Sequence, residues 1–102
     1  MKIKHYREAK AKSEVPGAEL REVITEEDGA PNFSMRVVEV EPGKNTSFHS
    51  HPWEHEVFII SGQAVVKGEQ GETRVTKDNA VYIAPNEQHC FVNTGKEPLR
   101  FV

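Results

Sequence analysis

The sequence contains a single cysteine, Cys90, so neither an intrachain disulfide nor a zinc site built from several thiolates can form. No apolar run approaches the roughly 18 residues that a membrane-spanning helix needs. The N-terminal residues MKIKHY lack the apolar stretch of a secretory signal peptide. We therefore expect a reducing, cytoplasmic setting and no membrane partner.

Runs of basic residues are missing as well. Lys and Arg number 13 against 16 Asp and Glu, they are scattered, and the net charge is −3, which predicts no nucleic-acid partner. Helix signals are equally scarce. Residues 7–12 contain helix formers without an apolar stripe, and Pro16-Gly17 follows, so at most one short turn is expected there. With 102 residues the chain is long enough for one domain with a modest core.

Short runs of β-branched and aromatic residues, separated by turn residues such as Pro42-Gly43 and Ser61-Gly62, make up most of the chain. This spacing predicts an all-β sandwich or barrel. We expect an N-terminal arm or edge strand over residues 1–19 and a barrel domain over residues 20–102. The runs lie at residues 20–25, 32–40, 46–49, 56–60, 63–67, 72–76, 80–83, 90–93 and 99–102. The last run has no closing polar tail, as expected of a slightly truncated chain.

Four of the five histidines form a pattern typical of a metal site. His49, His51 and His55 lie in the run HSHPWEHE, and a fourth, His89, follows later in the chain. Side chains at positions i and i+2 of an extended strand point to the same side, so His49 and His51 can converge on one ion. The neutral imidazole ring is the commonest protein ligand for divalent transition metals. The remaining histidine, His5, lies outside this pattern.

The spacing of these histidines resembles the first motif of the cupin superfamily, G-x5-H-x-H-x3,4-E-x6-G. The run GKNTSFHSHPWEHEVFIISG, residues 43–62, matches it except that His55 stands at the position of the usual glutamate. Glu56 would satisfy the longer spacing, but it leaves only five residues before Gly62. We therefore interpret His55 as the third ligand, with Glu56 either as an alternate ligand or as a residue that orients a ligand imidazole from outside.

The second cupin motif, G-x5-P-x-G-x2-H-x3-N, is matched at His89 and Asn93. Ala84 and Asn86 replace the proline and the glycine of the turn, and we expect Pro85 to supply the rigid bend instead. The strings PNFSMRVVEVEPG, HSHPWEHEVFIISG and APNEQHCFVN resemble the small single-domain bacterial and archaeal cupins with an all-histidine site.

This resemblance implies a double-stranded β-helix, or jelly-roll barrel, that holds a metal ion at its wider end and forms a homodimer. Four neutral imidazoles leave the full charge on the ion. The resemblance points to Mn(II) first and Fe(II) next, while imidazole ligands also suit Ni, Cu and Zn. The implied ligands are His49, His51, His55 and His89.

Large apolar side chains near the histidines predict a pocket for a small, partly apolar molecule. The candidates for its lining are Met35, Phe48, Trp53, Phe91 and Phe101. We expect an oxidoreductase of the dioxygenase type that acts on a phenolic or alkene-type substrate with oxygen or peroxide. A metal-assisted isomerase or decarboxylase would also need a general base, for which Tyr82 is the one candidate. A non-catalytic binding or sensor cupin is the third alternative.

Overall fold

The computed structural model describes residues 1–13 and 15–102 and is built almost entirely of β-strands. Two short 3-10 turns, Tyr6–Glu8 and Glu26–Asp28, interrupt them. The strands are β1 (Ala11–Lys12), β2 (Ala18–Ile24), β3 (Met35–Val40), β4 (His55–Ser61), β5 (Gln63–Gly68), β6 (Gly71–Thr76), β7 (Ala80–Ile83), β8 (His89–Asn93) and β9 (Leu99–Phe101). The expected all-β jelly roll is thus confirmed.

The strands form two antiparallel sheets. The larger has the order β1-β2-β3-β9-β4-β7 and the smaller the order β6-β5-β8. Both sheets contribute to one buried cluster, with Val40, Ile59 and Leu99 from the larger sheet and Ala64 and Phe91 from the smaller. The two sheets therefore face each other across a shared core, as in a sandwich closed into a barrel.

Alternation along the strands decides which side chains enter this core. On β4, Val57 and Ile59 are buried, so His55 shares their interior face. On β8, Phe91 is buried in the same cluster, and His89 lies on its side of the strand. Since His55 and His89 are the first residues of their strands, the pattern places both at the margin of the apolar core.

Two of the expected strands differ from the structure by more than two residues. Residues 46–49 form no continuous strand, and two isolated bridges, Asn45 to Val92 and His49 to His89, stand in its place. The reason is local: the Thr46 hydroxyl oxygen accepts a hydrogen bond from the Phe91 N–H at 2.9 Å, in place of a backbone carbonyl. In addition, the run at 32–40 becomes a strand only from its fourth residue, where β3 begins.

The N-terminal segment lies against the larger sheet. The short strand β1 pairs with β2, which makes β1 the edge strand. The Tyr6 hydroxyl donates to the Glu39 carboxylate at 3.5 Å, and the Arg100 guanidinium lies 5.1 Å from the centre of the Tyr6 ring. The division between an arm, 1–19, and a barrel, 20–102, stays a prediction. In the described part of the chain, no helix is long and apolar enough to cross a bilayer.

The turn between β4 and β5 leaves no room for a side chain. Gly62 has φ +91°, and a Cβ there would lie 2.8 Å from the Pro98 carbonyl oxygen and 2.9 Å from Leu99 Cα. Because both are backbone atoms, Gly62→Ala is expected to lower the free energy of unfolding by about 2–4 kcal/mol. Gly29 has a similar φ, +89°, with nothing within 4 Å, so Gly29→Ala should lose only about 1 kcal/mol. Equal losses in urea unfolding of the two variants would contradict the steric explanation.

Candidate metal centre

Three histidines meet where β8 begins. The His49 N–H donates to the His89 carbonyl at 3.2 Å, and the His89 N–H donates to the His49 carbonyl at 2.9 Å. This pairing sets the two ring centres 4.8 Å apart, and the His51 ring lies 5.3 and 5.1 Å from them. One ring nitrogen from each histidine therefore lies within 4.8 Å of those of the other two.

The backbone orients these three rings. In each, Nδ1 lies within hydrogen-bond distance of a carbonyl oxygen two residues away in the chain. Nδ1 of His49 lies 2.8 Å from the Ser47 oxygen, and Nδ1 of His51 lies 3.0 Å from the Trp53 oxygen. Nδ1 of His89 lies 2.8 Å from the Glu87 oxygen. A carbonyl oxygen can only accept, so Nδ1 carries the proton and Nε2 keeps its lone pair. Histidine ligands of metal ions typically donate their other ring N–H in this way.

The donor set fits a first-row transition ion. The Nε2 atom of His51 is buried and has no hydrogen-bond partner among the described residues. A buried acceptor without a partner costs about 1–3 kcal/mol, which a bound cation would relieve. Three imidazole nitrogens suit Mn, Fe, Ni, Cu or Zn, whereas Mg²⁺ and Ca²⁺ prefer oxygen ligands. His49 is at least partly exposed and His89 is buried, so the cluster spans the edge of the barrel interior.

His55 lies beside this cluster with its nitrogens engaged elsewhere. Its ring stacks on that of His51, with the centres 4.0 Å apart. The indole N–H of Trp53 donates to its Nε2 at 2.9 Å. The guanidinium of Arg36 lies 3.3 and 3.5 Å from its two ring nitrogens. To bind an ion through Nε2, His55 would have to give up the hydrogen bond from Trp53, and the ligand role of His55 stays a prediction.

Burial keeps two of the rings in the neutral form that binds metals. Burial, which disfavours the charged form of the ring, lowers the pKa of His55 to about 4. Repulsion between a protonated His55 and the positive charges of His51 and Arg36 lowers this pKa further and is included in that value. Burial likewise lowers the pKa of His89. Neither ring therefore needs to lose a proton near neutral pH before it can bind an ion.

The metal-free protein is expected to lose stability as the pH falls from 6.5 towards 4. In this range the unfolded chain protonates His55 near its ordinary pKa of 6.5, whereas the folded protein resists protonation until about 4. Urea unfolding in the presence of a chelator, at pH values above and below 6.5, measures the slope. His55→Gln should make the slope shallower, and His5→Gln, at the exposed N-terminus, should not. A slope that is unchanged in His55→Gln would contradict the lowered pKa.

Glu56 points away from the histidines. It lies on the exposed face of β4, opposite Tyr82 of β7. Its carboxyl shares a hydrogen bond with that of Glu54, which raises the pKa of Glu56. A role for Glu56 as an alternate ligand, or as a residue that supports a ligand, stays a prediction.

The apolar candidates fall into two groups. Phe91 and Phe101 stack within the core with their ring centres 4.5 Å apart. Met35 and Phe48 are exposed. Trp53 is 56% exposed and lies parallel to the His51 ring at 4.7 Å, so it covers one side of the cluster.

A cleft of about 440 Å³ runs between the edge strands β6 and β7 and reaches His89. Its apolar walls include Val66, Val75 and Val81, while Gln88 contributes a polar group. The sequence did not reveal this cleft, because it lies between the edges of two different sheets. It provides space for the apolar part of a small ligand beside the histidines.

Comparison with known proteins extends these observations. The family profile of the cupin domain matches residues 36–102. The tetracenomycin polyketide synthase protein TcmJ of Streptomyces glaucescens is 29% identical over 94 residues. The match covers 90% of this chain but 63% of TcmJ, so the chain spans less than two thirds of that relative.

Solved structures show the same architecture. The polyketide cyclase RemF from Streptomyces resistomycificus is 33% identical with a TM-score of 0.87, over 99% of this chain and 75% of that one. A cupin 2 domain-containing protein from Halorhodospira halophila is 33% identical with a TM-score of 0.78, and the match covers 88% of this chain and 64% of that one. A predicted oxalate decarboxylase from Thermotoga maritima is 19% identical with a TM-score of 0.82, and the match covers 98% of this chain and 94% of that one. At this identity the likeness shows the fold alone.

Proposed function

Since this chain belongs to the cupin family, we propose that it is a metal-dependent enzyme acting on a small, partly apolar molecule. One observation carries the proposal: one ring nitrogen from each of three histidines lies within 4.8 Å of the others, while backbone carbonyls hold each Nδ1 and leave each Nε2 available to an ion. Mn(II) is the first candidate ion and Fe(II) the second. The proposed ligands are His49, His51, His55 and His89.

The residues of the chain would hold the ion, orient the substrate and limit access of water. A divalent ion at this site would polarise a substrate oxygen or, if Mn or Fe, exchange electrons. Trp53 covers one side of the cluster, and the cleft beside His89 accepts apolar groups. The neutral ligand set leaves the ion strongly electrophilic, because no carboxylate shares its charge.

The first candidate reaction is oxidation of a phenolic or alkene-type substrate with oxygen or peroxide. In residues 1–13 and 15–102, no carboxylate or tyrosine hydroxyl is hydrogen-bonded to a ring of the cluster, and oxidation through a redox-active ion does not require one. Tyr82, Glu72 and Glu87 line the cleft beside His89 and are the groups that could serve as a general base for a metal-assisted reaction. The second candidate is a metal-assisted ring closure. It is favoured by TcmJ and RemF, whose names refer to polyketides and which match 90% and 99% of this chain.

One experiment separates these candidates. The protein is loaded separately with Mn, Fe and Zn and offered phenolic alkenes and a linear polyketone, while substrate, oxygen and peroxide are followed. If the Mn or Fe form turns over the substrate and consumes the oxidant while the Zn form does not, oxidation is supported. Turnover with Zn in the absence of oxygen supports ring closure, because Zn²⁺ has no redox chemistry. Binding without turnover would establish a non-catalytic binding module, and a protein that takes up none of the ions would refute the metal site.

We further propose a homodimer in the cytoplasm. Phe58, Ile60 and Tyr82 are 44%, 37% and 61% exposed on the outer face of β4 and β7. Neighbouring exposed apolar side chains of this kind are typical of protein interfaces. Sedimentation of wild type and Phe58→Glu tests the association, and a monomeric wild-type protein would refute it.

A further inference from the structure

We propose that Arg36 recognises a carboxylate of the substrate beside the metal centre, so that the natural substrate is an organic acid. This inference rests on the proposed metal-dependent function and names its substrate class. It starts from the position of Arg36 on β3. Val38 and Val40 of the same strand pack into the core, and alternation places Arg36 on that interior face.

The length of the arginine side chain explains why it reaches the site. In the larger sheet β9 lies between β3 and β4, so Arg36 and His55 are two strands apart, about 10 Å at the usual strand spacing. The guanidinium nevertheless lies 3.3 Å from Nε2 and 3.5 Å from Nδ1 of His55. Nearly equal distances to both nitrogens place one guanidinium nitrogen beside the ring. The other N–H groups of Arg36 have no hydrogen-bond acceptor among the described residues, so they are available to a ligand.

No carboxylate of the described residues forms an ion pair with Arg36. Glu22 lies opposite it on β2, but its carboxylate accepts a hydrogen bond from the Lys12 ammonium at 2.7 Å. By contrast, Arg21 is paired with Glu19, and Arg100 with Glu39. Arg36 is thus a half-buried cation that adjoins the metal cluster; within residues 1–13 and 15–102, Glu22 lies close enough to feel its charge but forms no ion pair with it.

A positive charge in this position is costly unless a ligand compensates it. A divalent ion held by neutral rings would add to the charge of Arg36, and partly buried like charges repel one another. The chain as a whole carries a charge of −3, so the positive charge is local to this site. The planar guanidinium matches the two oxygens of a carboxylate in a bidentate arrangement. An organic acid would satisfy Arg36 and bring its remaining oxygen atoms towards the ion.

A matched pair of ligands tests this recognition without catalysis. Cyclohexanecarboxylate and its amide have the same shape, and only the acid is charged. Trp53 is the single tryptophan and contacts His55, so its fluorescence reports binding. The wild-type protein, metal-free and zinc-loaded, should bind the acid at least about tenfold more tightly than the amide. Equal affinities for acid and amide would overturn the proposal.

Variants assign the preference to Arg36. Arg36→Met should abolish it, and Arg36→Lys should keep part of it, because lysine retains the charge and loses the planar fork. Arg74→Met, on the exposed strand β6, is the matched control and should keep the full preference. A preference that persists in Arg36→Met would refute the assignment. Metal content is measured in parallel. A wild-type protein that takes up no metal refutes the proposed function. The ratio of acid to amide affinity, measured on the metal-free protein, decides the role of Arg36 independently of that result.

Discussion

Replacement of His51 by alanine is expected to weaken metal binding by about a hundredfold or more. Loss of a residue that merely supports a ligand already costs about 10–100-fold in affinity, and loss of a direct ligand should exceed this. His51 is the histidine whose Nε2 is buried without a hydrogen-bond partner among the described residues, so it has most to gain from the ion. Competition with a chromogenic chelator at neutral pH measures the change.

The matched control for this variant is His5→Ala. The His5 ring accepts a hydrogen bond from the Arg7 N–H and stacks on Tyr6 in the N-terminal segment. Its removal should leave metal affinity unchanged. Metal-free His51→Ala should unfold at nearly the same urea concentration as wild type, since the variant also removes an unsatisfied buried nitrogen. A His51→Ala protein with wild-type affinity would exclude this residue as a ligand.

Replacement of Asn93 by leucine is expected to lower the free energy of unfolding by about 3 kcal/mol or more. The Asn93 side chain is 1% exposed and donates to the carbonyls of Val40 and Glu97, both at 2.8 Å. Its oxygen accepts from the Gly95 N–H at 2.9 Å. Leucine has the same number and branching of heavy atoms but leaves these backbone groups unpaired, and that of Val40 is deeply buried.

Asn93 connects β8, which starts at the metal centre, to β3 and to the turn before β9. Asn32→Leu, at an exposed position outside the strands, is the control and should change the free energy of unfolding by less than about 0.5 kcal/mol. Chemical unfolding followed by circular dichroism measures both variants. A loss for Asn93→Leu no larger than that of the control would show that the buried amide does not stabilise this junction.

Local pattern was sufficient to predict the strand content and much of the site. Short runs of β-branched and aromatic residues predicted the strands, and the two-residue step between His49 and His51 predicted their convergence. These predictions succeed because the orientation of a strand side chain depends on the backbone of its own segment. The expected strand at 46–49 failed where a side chain, that of Thr46, replaced a backbone acceptor.

The sequence did not predict the contact between Arg36 and His55, and strand alternation alone could not have predicted it. The interior position of Arg36 could have been found from Val38 and Val40, two and four residues further on. That it meets His55 depends on β9, which joins the sheet between β3 and β4 although it comes last in the chain. No local signal encodes such a pairing, because it is formed by segments far apart in sequence.

The sequence by itself therefore determined the all-β architecture, the family and the histidines that approach one another, since strand alternation and motif spacing are properties of short segments. Only the tertiary structure decided how each Nδ1 is held, that His55 contacts Trp53 and Arg36, and where the cleft beside His89 opens. Those features arise where separate strands and loops pack together, so they depend on strand order and on distances that no single segment specifies.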